Sequence, residues 1–284
     1  MTGVTRAIPL FVLLVACAGN TPPPMIGGPA TERRANAEAP TSSDAVTRIA
    51  PATNYRATAR MERRDSIVLT LPDGRRQVQQ TSRNARFSLQ VGAGGDVQVR
   101  LDSLTFRPDV PNASREAIGT VWRGKLGAHG IEDLRPNREN GVTRDMTSTV
   151  EDLLPALPRN GVPVGERWTD TTSSSLRVEI FDADEQRRSA WRVGPARTID
   201  ALVVHPIEVT ERYEQLGDGK QAGREMRMSA QGSRSATYYS TKAGRIDQIV
   251  QVDSASRLIT IPDSRQAIPT MQVIRTTVTF RYLP

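Results

Sequence analysis

The chain has one cysteine in 284 residues, two histidines, three lysines and only 5% aromatic residues. A lone cysteine, Cys17, excludes an internal disulfide, so a folded part of this size must hold together through its core. His129, in Gly-Ala-His-Gly, and His205, before Pro206, lie too far apart for a spaced His-pair metal motif. Each reads as a surface or edge-strand residue. No Gly-x-Ser-x-Gly stretch supplies a hydrolase nucleophile, and Ser173 to Ser175 form a plain serine run. Gly124, Gly127 and Gly130 do not match a phosphate-cradling fingerprint. Long apolar runs are also missing. The stretch from Ala7 to Ala18 would rise about 18 Å as a helix, short of a hydrocarbon core of about 30 Å. The sequence therefore offers no catalytic residue, no metal site and no cofactor, and the expectation is a non-enzyme.

What the first residues do contain is a basic start, Arg6, a short apolar core and small residues after it, the layout of a secretory leader. Leu14-Val15-Ala16-Cys17 resembles the lipobox of bacterial lipoprotein precursors. The resemblance implies that residues 1–16 are a signal peptide, that cleavage precedes Cys17, and that Cys17 carries acyl chains. Each buried methylene contributes about 0.8 kcal/mol, so two or more chains hold the protein to a membrane stably. Ala18 and Gly19, with no Asp after the cysteine, imply the periplasmic face of an outer membrane in a Gram-negative host.

Residues 17–53 are rich in Pro, Gly, Ala, Thr and Ser and show no helical or strand period. This composition predicts a disordered tether, because too little apolar surface is available to offset ordering entropy. Residues 54–284 are enough for one large domain or two small ones.

The folded part reads in period two. Tyr55, Ala57, Ala59 and Met61 alternate with Arg56, Thr58, Arg60 and Glu62, and Met226, Met228 and Ala230 alternate with Arg227, Ser229 and Gln231. Near the C-terminus Ile274, Thr276, Val278, Phe280 and Tyr282 share one face. Such one-sided strands suit antiparallel sheets with one face covered. Asp73-Gly74, Gly92 to Asp96, Gly217 to Gly219 and Ala243-Gly244 mark expected reversals. A helical stripe of Val142, Met146, Val150 and Leu153 predicts one helix over 142–154, with Ser148 and Glu151 as a capping pair if it starts late. The expected class is mainly β: a curved antiparallel sheet or half-barrel with one or two helices. Val121–Leu134 and Tyr238–Ile249 share an aromatic strand, Lys-x-Gly and Ile before an acid. That pattern fits either two β halves joined around the helix or an ordinary pair of hairpins.

Pro163-Val164-Gly165-Glu166-Arg167-Trp168 resembles an element of a broad group of secreted bacterial lipoproteins, shortened here by one residue. Tyr239 and Gly244-Arg245-Ile246 match a second element of that group. The resemblance implies a half-barrel like that of the lipoprotein carriers of the Lol system, which would carry an apolar ligand or lipid. From the residues alone Pro163, Gly165, Trp168 and Gly244 have structural work to do: directing the chain, turning it and filling the core.

Asp182, Asp184 and Glu185 cluster between two expected strands, and a solvated hairpin tip accounts for them better than a cation site. Formal charge is +7, and the segment Arg56 to Arg86 holds eight arginines against Glu62, Asp65 and Asp73. Doublets such as Arg63-Arg64 cannot form a patch by adjacency, since neighbours on a strand face opposite ways. A solvated basic face is the simple reading. If the face binds, Arg56, Arg60, Arg75 and Arg76 are the candidate contacts, and anionic lipid headgroups or acidic envelope polymers suit them. Nucleic acid does not suit an exported, anchored protein without stacking motifs. Two binding classes stand ahead of an enzyme: an adaptor working through its surface, and a carrier of an apolar ligand.

Overall fold

A computed structural model describes residues 47–284 apart from 72, 128–129, 179, 222 and 263–265. Cys17, most of the expected tether and His129 lie outside the described residues. The chain enters through β1 (Arg48–Ile49) and then builds β2 (Tyr55–Thr70), β3 (Arg76–Val91) and β4 (Asp96–Arg107). Helix α1 (Pro111–Ala117) leads to β5 (Val121–Gly127) and β6 (Gly130–Pro136). Helix α2 (Gly141–Glu151) and β7 (Val162–Pro163) follow, then β8 (Arg167–Val178), β9 (Phe181–Val193) and the short β10 (Arg197–Ile199). The chain ends with β11 (Leu202–Gln221), β12 (Arg224–Ser240), β13 (Ile246–Ile261) and β14 (Gln266–Leu283).

These strands form one curved antiparallel sheet in the order β6-β5-β4-β3-β2-β14-β13-β12-β11-β9-β8, with β10 beside β11. Almost every pairing joins sequence neighbours, as short turns permit. The exceptions are β9 with β11, which skips the short β10, and β2 with β14, which closes the strands before α2 onto those after it. β6 and β8 are the free edges, so the sheet is a trough and not a closed barrel. The chain must cross from one edge to the other between them, and α2 with the segment after it makes that crossing over the concave side. β1 and β7 form a separate two-stranded pairing at the same place.

The alternation expected of β2 holds: Tyr55, Ala57, Ala59 and Met61 are buried and Arg56, Arg60 and Glu62 exposed. These inward residues join Phe87, Leu89, Val99, Trp122, Tyr238, Ile249 and Phe280 in the main core, which α2 caps with Met146 and Val150. A second, small cluster of Phe181, Ala183, Met228 and Ile259 fills the far end of the long strands.

Several expectations move. The helix begins at Gly141 and ends at Glu151, and its capping box pairs Asn140 with Thr143 instead of Ser148 with Glu151. Asn140 Oδ1 accepts from Thr143 N at 2.9 Å while Thr143 Oγ1 accepts from Asn140 N at 2.8 Å. Gly217 to Gly219 lie inside β11 and do not reverse the chain. Asp182, Asp184 and Glu185 are strand residues of β9, not a hairpin tip. His205 is buried at the start of β11, with Nδ1 3.4 Å from the Gly194 carbonyl, and is not a surface residue. Of the two look-alike hairpins, one keeps Lys125 to Gly127 within a strand while the other turns at Lys242 to Gly244.

Gly244 shows why that second turn needs glycine. Its φ is +77°, and a Cβ there would sit 1.8 Å from the Ala50 carbonyl oxygen, because the entering chain runs over the turn. Ala52 N donates to Gly244 O at 3.2 Å and ties the two together. Gly165, also at positive φ, turns the chain after Pro163, whose strand pairs with Arg48. Trp168 stacks on Trp191 at 5.7 Å between ring centroids.

Candidate functional site

The sheet presents two faces of opposite character. On the concave face, the inward register of β2 continues past Met61 into Arg63 and Asp65, both buried. Their side chains point the same way because they are two apart on a strand. Arg63 Nε and Nη2 donate to Asp65 at 2.8 and 3.1 Å. On the neighbouring β3, Arg83 approaches Asp65 at 3.9 Å, reaches Asp145 of α2, and lies over the Phe106 ring. Burial alone would lower the Arg63 pKa, but Asp65 and Asp145 outweigh it and hold the guanidinium more firmly charged.

A second network sits across the trough. Arg234 of β12 donates to Asp152 at 2.8 Å, to Gln251 at 3.1 Å and to Tyr238 Oη at 3.3 Å, with Glu211 at 3.5 Å. Arg187 bridges Glu185 and Glu211, and its guanidinium covers the Tyr213 ring. Burial opposes the charge on Arg234, and Asp152, Tyr238, Glu211 and Asp253 reverse that effect and raise its pKa well above the ordinary value. Burial also raises the Tyr238 phenol, against the pull of Arg234, so it stays protonated and able to donate. Asp145 in the second turn of α2 and Asp152 at its C-cap tie the helix to the sheet, and Thr147 between them accepts from Trp122 Nε1 at 2.9 Å. Each arginine of this belt faces at least one carboxylate, although Arg234 Nε makes no hydrogen bond and only approaches Asp253 at 3.9 Å. The belt is a lock on the crossing helix.

Beside Tyr55, Leu154, Leu157 and Ile246 the enclosed gap is about 10 Å³, too little for a bound molecule. A depression of about 450 Å³ lies at Leu216, Asp218, Arg227 and Leu258, open to solvent on the outward side of β11 to β13. A carrier pocket of at least about 300 Å³ enclosed by apolar walls is thus not what either one provides. Asp184 lines the open depression, while Glu185 points inward to Arg187 and Gln215, so the three neighbouring acids do not converge. Among the described residues no group of three or more His, Cys, Asp or Glu side chains is placed to hold a metal.

The outward face gathers arginines that the sequence scatters. Arg56, Arg60 and Arg64 of β2 are exposed on it. Register places Arg86 of β3 opposite Arg60, and Arg275 of β14 opposite Arg64. Arg281, opposite Thr58, sits diagonally between Arg56 and Arg60. The acid among them, Glu62, pairs with Arg60 at 3.1 Å. Two of the candidate contacts lie elsewhere: Arg75 is in the β2–β3 turn, bound to Asp73 at 2.5 Å, and Arg76 begins β3. Arg76 opposes Thr70, six residues or about 20 Å along the strand from Arg64. Sequence reasoning missed Arg64, Arg86, Arg275 and Arg281, since only strand pairing unites them. It also missed the buried belt, although the unbroken period from Tyr55 to Asp65 was a signal for its first two members.

The class of molecule these features define is an open antiparallel trough, locked by a helix across its inside and basic on its outside. No family model matches the chain, and no curated protein is similar to it. Among solved structures, neisserial surface protein A aligns over 78% of this chain and 97% of its own, at 7% identity and a TM-score of 0.20. A LolA superfamily protein from Nitrosomonas europaea aligns over 83% and 90%, at 8% identity and a TM-score of 0.16. Neither likeness is close enough to assign this chain a role.

Proposed function

We propose that the chain is a lipid-anchored protein of a bacterial cell envelope with a non-catalytic binding or adaptor role. The acyl chains on Cys17 are its membrane anchor, the residues from there to 46 its spacer, and the periplasmic face of the outer membrane its location; the last residues of the expected tether, with Ile49 buried and paired to β7, belong to the folded part instead. The leader layout and the lipobox-like Leu14-Val15-Ala16-Cys17 support the anchor. The observation that carries the binding role is the outward face: its exposed arginines lie together on three adjacent strands while the buried charges of the trough are already engaged. Charge presented in this way attracts anionic partners. Mass spectrometry of the intact protein from its native membrane tests the anchor. A triacylated chain beginning at Cys17 is the expected result, and an unlipidated chain beginning elsewhere refutes it.

A further inference from the structure

We propose that the outward face of β14, β2 and β3 docks on the phosphate headgroups of an anionic membrane surface through the cross-strand pairs Arg60/Arg86 and Arg64/Arg275. The inference rests on the membrane-anchored reading above and names the partner of the same face.

Residues directly opposed on antiparallel strands have Cβ atoms about 4.5–5.5 Å apart, and like charges at that distance destabilise the sheet. Two such pairs flank β2, one on each side, while exposed Arg123/Arg135, Arg167/Arg192 and Arg188/Arg212 oppose each other singly elsewhere in the sheet. The outward positions between the two pairs at β2 are Thr277 and Asn84, opposite Glu62, which pairs with Arg60, and the neighbouring carboxylate at the β4 bulge, Asp102, is held by Arg100 and Ser88. An oxyanion held between two guanidinium groups removes the repulsion and accepts paired hydrogen bonds from each fork.

The shape of the array selects a surface as the partner. Arg56 to Arg64 spans eight residue steps of one strand, about 26 Å, and the three strands add about 10 Å of width. This is one face of a sheet, able to meet many headgroups at once. Chain geometry agrees. The described chain starts at Thr47, thirty residues after Cys17, which as a flexible coil spans about 27–33 Å. β2 begins at Tyr55, so Arg56 and Arg281 lie at the end of the sheet where the chain enters, and Arg60/Arg86 and then Arg64/Arg275 follow along the strand. Anchoring at Cys17 therefore makes contact by this face an intramolecular event at high effective concentration.

The test uses the full chain carrying Cys17→Ser, sedimented with vesicles of phosphatidylcholine alone or mixed with phosphatidylglycerol. Neutral vesicles read any contribution of the apolar leader. Stronger binding to the anionic vesicles, weakened by salt, is expected. Replacing Arg64 and Arg275 by Gln removes two charges, each contributing about 1 kcal/mol at such a surface, and should weaken partitioning about 30-fold. R60Q/R86Q should do the same, and R75Q/R76Q at the distal turn should change it by less than about threefold. All these positions are exposed, and unchanged circular dichroism and melting verify folding. The proposal is overturned if anionic and neutral vesicles bind alike, or if R75Q/R76Q weakens binding as much as R64Q/R275Q. It also falls if inorganic polyphosphate binds more tightly per phosphate than vesicles do, which would make the partner a polymer. Triacylated Cys17 with no vesicle preference would remove this inference and leave the anchor. Unlipidated protein with the preference intact would refute the anchor and keep the face.

Discussion

Removing Arg234 should unlock the crossing helix. Its side chain is 7% exposed and faces Asp152 at 2.8 Å, Glu211 at 3.5 Å and Asp253 at 3.9 Å. Arg234→Met keeps most of the volume and leaves Asp152 and Asp253 without their cation, while Glu211 retains Arg187. Stripping one partner from a buried ion pair costs about 3–5 kcal/mol, because the remaining charge is neither hydrated nor paired. Asp152 is 31% exposed and regains some hydration, which places the expected loss near about 3–4 kcal/mol. For a chain of this size that lowers Tm by about 6–16 °C. Urea and thermal unfolding followed by circular dichroism at pH 7 measure it. Acid should shrink the loss: burial, against the pull of Arg234 and Gln251, raises the Asp253 carboxyl, so it takes up a proton early as pH falls. The companion Asp152→Asn should recover part of the stability. A loss below about 1 kcal/mol at pH 7 would refute the claim that the belt is a lock, as would equal losses at pH 4 and pH 7.

Asn140→Ala removes the side-chain acceptor of Thr143 N while leaving its own N–H on Thr143 Oγ1, and should cost about 1 kcal/mol, read as a lower urea midpoint. Gly244→Ala puts a methyl against the Ala50 carbonyl in a left-handed backbone and should cost at least about 2 kcal/mol, detected as a lower Tm. If Gly244→Ala is neutral, the entering chain does not cross that turn. Glu151, exposed at the end of α2, has its carboxyl pushed up to about 7 by partial burial and by Asp152, with Arg187 opposing. Its folded pKa exceeds that of the unfolded chain, about 4.3, so the native state binds the proton more tightly and stability falls as pH rises from there to about 7. Glu151→Gln should flatten that part of the pH–stability profile, by less than about 1 kcal/mol given solvent screening.

How far the residues announced this structure depends on the range of the interaction. The inward set of β2 was readable because alternation is a property of one strand, and so was the Asp73-Gly74 turn. The helix was readable from Val142, Met146 and Val150, yet its start was misplaced because Asn140 and Thr143 form the box without an acid. Gly217 and Gly219 look like a turn but are strand residues facing Ala183 and Phe181 on β9, a cross-strand fit that local pattern cannot display. Asp182 to Glu185 looked like a tip for the same reason.

The sequence by itself determined the β-rich class, the covered and open faces of individual strands, the absence of a disulfide and the lipobox-like segment around Cys17. All of these depend on composition or on neighbours in the chain. The tertiary structure alone decided that β2 lies beside β14, two elements nearly two hundred residues apart along the chain. That pairing brings Arg275 against Arg64 and Phe280 against Ala59. It also decided that Arg63 and Arg64, adjacent in the chain, would have opposite fates: one buried on Asp65 within the trough, the other exposed among arginines outside. A strand's alternation separates two neighbours, but which face becomes the inside is set by where the whole sheet curls and where α2 crosses.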